Sequence, residues 1–112
     1  GSFLSLAIDL PDSLCGTFSK DKLIGLSGAI FAERATGFTV RLNIKHGPNT
    51  EQLIQAHDLN WSNIGVEFDL KHLKINVNRV EKIWFDLVFE TPNFNCISHT
   101  DLAFSKRPRG EI

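Results

Sequence analysis

Two short runs in this 112-residue chain carry side chains able to hold a ligand: Arg41, Asn43 and Lys45 in one, and Trp84 and Asp86 in the other. Together they would present cations, an amide, an indole and a carboxylate, which are hydrogen-bonding groups around a flat apolar ring. That equipment suits recognition of a polar molecule rather than its transformation. Each run needs a support that turns its polar members to one side. Alternation supplies it, because Phe38, Val40, Leu42 and Ile44 interleave with Thr39, Arg41, Asn43 and Lys45. In the same way Ile83, Phe85, Leu87 and Phe89 interleave with Trp84, Asp86, Val88 and Glu90. A period of two places such sets on opposite sides of a β-strand, one buried and one free.

Each candidate also has a plainer explanation. Trp84 is either a platform for a planar or sugar ring, or a cover for the sandwich edge, since large aromatics are usually buried. Arg41 with Asp86 is either a ligand clamp or a cross-strand ion pair. Such surface pairs are common and contribute about 0–1 kcal/mol, so the ion pair is preferred. Asn43 is the more informative residue, because an exposed amide in mid-strand runs against strand propensity.

Catalytic signatures are missing from the sequence. His46, His57, His72 and His99 are scattered without His-x-His or Cys-x-x-Cys spacing, which argues against zinc. Cys96 and His99 alternate to opposite faces of one strand, so they do not make a nucleophile and base. No pair among the 13 acidic residues is marked out as a glycosidase dyad by spacing. The expectation is a protein that is not an enzyme.

The remaining segments read as further strands and turns. Phe3 to Leu10 alternates loosely, and Pro11-Asp12-Ser13 ends it. Leu23 to Glu33 is apolar on both faces and suits a central strand covered on both sides, or one bent at Gly25 and Gly28; a helix is the rival, at a cost of about 1 kcal/mol for each glycine. Arg34 to Gly37 reads as a turn, as do Gly47-Pro48-Asn49, Asn60 to Asn63 and Thr91-Pro92-Asn93. Thr50 to Leu59, Val66 to Leu70 and Cys96 to Ser105 complete a set of about seven short strands. The expected fold is all-β, a sandwich of two antiparallel sheets. Cys15 and Cys96 would share one end of it if the first and last strands are neighbours. A disulfide closing that loop of about 80 residues would contribute roughly 4 kcal/mol in the chain-entropy view. Two free thiols are the alternative.

Composition bounds the partners. A net charge of −1 and a pI near 6.5 give no global footprint for nucleic acid or for an anionic membrane. No apolar run approaches the roughly 20 residues that span a bilayer. Gly1-Ser2 reads as a cloning scar, residues 3–106 as a single domain, and 107–112 as a basic tail that solvates a terminus or begins a linker. An excised fragment would have other domains of its parent protein as partners.

The order of signals resembles the jelly roll of carbohydrate-binding modules and galactose-binding-like domains. The pieces that carry the resemblance are Leu26 to Phe31, Val40 to Ile44, the Trp-x-x-x-x-Val-x-Phe pattern from Trp61 to Phe68, and Asp101-Leu102. It implies a jelly-roll sandwich with a saccharide on one sheet. The matching face would hold Arg41, Asn43, Trp84 and Asp86, joined by Gln55 or His57. It also implies a structural calcium held by Asp101, with Asp9 as partner because first and last strands adjoin in a jelly roll. Calcium takes six to eight oxygens, of which these supply two carboxylates. The run from Arg41 to Gln52 is also similar to an uncharacterised domain found in alphaproteobacteria, which carries no function over.

Overall fold

A computed structural model of the chain describes residues 3–16, 18–90 and 97–108. Among them are five strands: β1 (Phe3–Asp9), β2 (Lys22–His46), β3 (Asn49–Asp69), β4 (Val80–Glu90) and β5 (Ile97–Pro108). One helical turn, α1 (Ser13–Gly16), follows β1, and a 3-10 turn, Val77–Arg79, precedes β4. The fold is an all-β sandwich of two antiparallel sheets, with four and three strands. Five strands suffice because β2 and β3 are long enough to serve both. The C-terminal half of β2 lies between β4 and the start of β3, with β1 beyond β4. Its N-terminal half lies between β5 and the end of β3.

Two turns expected from the sequence are therefore strand. Arg34 to Gly37 lies within β2, and Asn60 to Asn63 lies within β3. The pairing runs Phe31 to Trp61 and then resumes at Thr36 to Leu59, so Ala32 to Ala35 stand opposite Asn60 alone. Extra residues on one strand bend it without breaking it. The polar, glycine-ended cluster that resembles a turn is the bulge where the β2–β3 ribbon passes from one sheet to the other.

The true reversal is at Gly47-Pro48. His46 pairs with Asn49, leaving a two-residue loop. Gly47 has φ +57°, the left-handed value that the first central position of a II′ hairpin requires and that glycine adopts without steric cost. The Arg79 guanidinium lies over it, 2.9 Å from where a Cβ would stand.

The core lies between the sheets. Val40, Leu42, Ile44, Phe85 and Leu87 from the larger sheet are fully buried. Ile24, Leu26, Val66 and Phe68 close it from the smaller one. Phe68 and Phe85 meet across it with ring centroids 6.1 Å apart. Seven of the nine are inward members of alternating runs, where pattern and packing agree; Ile24 and Leu26 come from the segment that reads as apolar on both faces.

Two further expectations change. β1 pairs with β4 and β5 with β2, so first and last strands are not paired with each other. The neighbour relation on which the Cys15–Cys96 pairing rested is not present, and Cys15 is a free, half-buried thiol. Burial, and then the charge of Asp12, raises the pKa of that thiol. Cys96 lies outside the described residues, as does the turn at 91–93. β5 continues to Pro108, so Arg107 is a sheet residue, and 109–112 of the basic tail lie outside the described residues.

Candidate functional site

The outer face of the four-stranded sheet brings four of the six expected ligand residues together. Arg41 pairs across to Asp86 and Asn43 to Trp84, so the two runs lie side by side with the polar members on one face. Asn43 is the centre of the group and is not exposed as expected: its accessibility is 0%. Its amide nitrogen donates to Asp86 Oδ2 at 3.0 Å and approaches the Trp84 and Arg41 carbonyls at 3.4 and 3.5 Å. Its amide oxygen accepts from Gln52 Nε2 at 2.8 Å. A buried amide is tolerated when both its ends are bonded, and here they are. Asn43 therefore fixes the groups around it.

Those groups are only partly engaged. Arg41 Nη1 stands 3.9 Å from Asp86 Oδ2, a long ion pair between half-exposed side chains. Its Nε is buried without a hydrogen-bond partner. Trp84 is half-buried, with the Lys82 ammonium 5.3 Å from its ring centroid. Lys82 also pairs with Asp9 at 3.5 Å, and Lys45 with Glu81 at 3.3 Å. Ile54, paired with Arg41 from the β3 side, is 58% exposed.

Gln55 does not belong to this face: it pairs with Val40, a member of the core-facing set. The side chain of His57 lies outside the described residues. The two-residue hairpin sets that parity, and a slip of one residue would have reversed it. Gln55 instead reaches across the sandwich, where its Nε2 donates to the Glu67 carbonyl at 2.7 Å and ties the two sheets at their β3 edges. Gln52 takes the place on the site face that was expected for it. Gln52, Lys82 and Ile54 are the site residues the sequence reading missed. Counting outward from Gly47-Pro48 as a two-residue loop finds Gln52 opposite Asn43 and Ile54 opposite Arg41.

Asp9 and Asp101, the expected calcium pair, belong to different strands, and the side chain of Asp101 lies outside the described residues. Asp9 sits on β1, at the edge of the larger sheet, and its carboxylate faces Lys82. Asp101 belongs to β5 in the smaller sheet, opposite the irregularity between Ser27 and Ala29. No cluster of three or more His, Cys, Asp or Glu side chains suited to a metal occurs among the described residues. Among the histidines, His46 is buried at the hairpin end with Nε2 3.8 Å from Glu51 Oε1, while His72 is exposed in the loop after β3.

The smaller sheet has a different outer face. A trough of about 300 Å³ is lined by Leu26, Ser27, Gly65, Val66, Glu67 and Ser105. Beside it Arg107 grips Glu67 in two hydrogen bonds of 2.7 and 2.8 Å. The hydrogen bond from Arg107 lowers the pKa of Glu67, opposed by desolvation and reinforced by the guanidinium charge.

A family model matches residues 1–112, the whole chain. The chain belongs to the family of unknown function DUF6478. No curated protein and no solved structure matches it. Membership of DUF6478 thus brings no activity with it, and the site has to be judged by its own chemistry.

Proposed function

We propose that the protein is a non-catalytic binding module that takes a polar ligand of the saccharide class on the outer face of the four-stranded sheet. The observation that carries this reading is a half-buried indole, Trp84, beside Arg41 and Asp86 and paired across the strands with the fully buried Asn43. An aromatic face offers a sugar ring an apolar surface, while neighbouring donors and acceptors select its hydroxyl pattern. A stacked sugar would take the place of the Lys82 ammonium over the ring. The contact exchanged is a modest one, about 0.5–1 kcal/mol for an exposed cation–π pair. Leaving chemistry out is supported by the way the polar side chains engage one another: Asp86 with Asn43 and Arg41, Asp9 with Lys82.

Tryptophan fluorescence across a glycan panel, run on the wild type and on Trp84→Ala, tests this. A saturable shift that disappears in the variant is the expected result. An identical response from both proteins, with the variant folded, would remove Trp84 from the site.

A second reading is an interaction sandwich whose same face docks a protein surface. Ile54 favours it, since a large aliphatic side chain more than half exposed beside Arg41 gains by being covered.

A further inference from the structure

We propose that the chain self-associates as a two-fold dimer through the first part of β3, residues 52–56, pairing antiparallel with its own copy so that the four-stranded sheet continues across the interface. It uses the strand edge beside the candidate face, not the face itself, and goes beyond both readings above.

β3 is the outermost strand of the four-stranded sheet, bonded among the described residues to β2 on one side. Such an edge presents unpaired backbone groups that can receive another strand, and natural edges are usually guarded against it by charges or proline. Two edges are guarded: β5 carries Lys106, Arg107 and Pro108, and the last part of β3 carries Glu67 and Asp69. β1 and the first part of β3 each have a single charge and no lysine or proline, and of these two it is, among the described residues, β3 that exposes a large aliphatic, Ile54. The segment Asn49-Thr50-Glu51-Gln52-Leu53-Ile54-Gln55-Ala56 has neither lysine nor proline and a single charge. That charge is turned towards His46 at 3.8 Å, away from the free edge.

The composition of the segment also suits its own copy. An antiparallel pair related by a two-fold axis normal to the sheet must keep like faces together, so opposed residues have the same parity. Centred on Ile54, the pairing sets Ile54 against its symmetry mate, Leu53 against Gln55 and Gln52 against Ala56. The exposed aliphatic is covered, and Glu51 does not oppose itself. Main-chain hydrogen bonds would supply the affinity and the side-chain pairs the register.

Sedimentation velocity over a concentration series tests this with three proteins. The wild type is expected to shift from monomer to dimer. Ile54→Glu sets two carboxylates face to face at the axis, while in the monomer the new carboxylate lies beside Arg41. It should keep the wild-type circular dichroism and melting transition, and weaken dimerisation by at least about tenfold, since like charges brought together at an interface cost several kcal/mol. Ser5→Glu, on the exposed β1 edge, should dimerise as the wild type does. A wild type that stays monomeric throughout overturns the proposal. So does a folded Ile54→Glu that dimerises normally, or a loss of the dimer in Ser5→Glu alone.

Discussion

The two outer faces of this sandwich share a central strand, β2, and differ in what that strand contributes. On the larger sheet β2 presents Arg41, Asn43 and Lys45, and every polar contact there lies between adjacent strands or within one. On the smaller sheet it presents Gly25 and Ser27. Glu67 and Arg107, which belong to the two strands flanking β2, therefore meet over the top of it. A Cβ at Gly25 would stand 2.8 Å from Ser105 Oγ and 3.0 Å from the Val66 carbonyl, so the close approach requires glycine. The first face has a buried organiser beneath a long, loosely held ion pair. Among the described residues the second has no such organiser and a tight, solvent-exposed pair. A face that is to recognise a ligand needs fixed groups with bonding capacity to spare, and among those residues the first combines both.

The contrast can be broken most forcefully at Asn43. Asn43→Ala removes an amide bonded at both ends and leaves Gln52 and Asp86 without their shared partner. It should destabilise the fold by about 2 kcal/mol in urea denaturation. A cost near zero would mean that the amide is not the organiser. Gly47→Ala should cost about 1–2 kcal/mol by the same measurement, because it places a Cβ in the left-handed region and against the Arg79 guanidinium. Gly25→Ala should cost about 1 kcal/mol, through crowding of Ser105 and the Val66 carbonyl. It should also separate Glu67 from Arg107.

The smallest effect is expected from that ion pair, and its sign is fixed by Glu67. The Arg107 hydrogen bond lowers the folded-state pKa of Glu67, so the stabilisation is complete above the ordinary carboxylate range. It is lost as pH falls through the lowered folded-state value. Wild type and Arg107→Gln should therefore differ slightly at neutral pH and converge in acid. They should converge in high salt as well, since exposed pairs are screened. A difference that grew in acid would reverse the assignment.

Much of the fold was legible in the alternation of Phe38 to Lys45 and Ile83 to Glu90, because burial on one face of a pleated strand leaves a period of two. The bends were not. Arg34 to Gly37 has the polarity of a turn, but its role as a bulge depends on β3 running alongside, a non-local pairing that local composition does not contain. Asn43 was singled out correctly as unusual and given the wrong exposure. Its amide is engaged by the Gln52 and Asp86 side chains, and both partners follow from register. That register was within reach: with Gly47-Pro48 as a two-residue loop, Gln52 falls opposite Asn43 and Gln55 opposite Val40. Taking Asn49 into the turn hides the parity.

The most direct test is to follow backbone amide shifts by nuclear magnetic resonance while titrating the glycan that gives the strongest fluorescence response. The account predicts perturbations concentrated at 39–45, 52–54 and 82–88, the three strand segments around Trp84. Perturbations centred instead on 25–27, 65–67 and 103–107 would place recognition on the smaller sheet and contradict it.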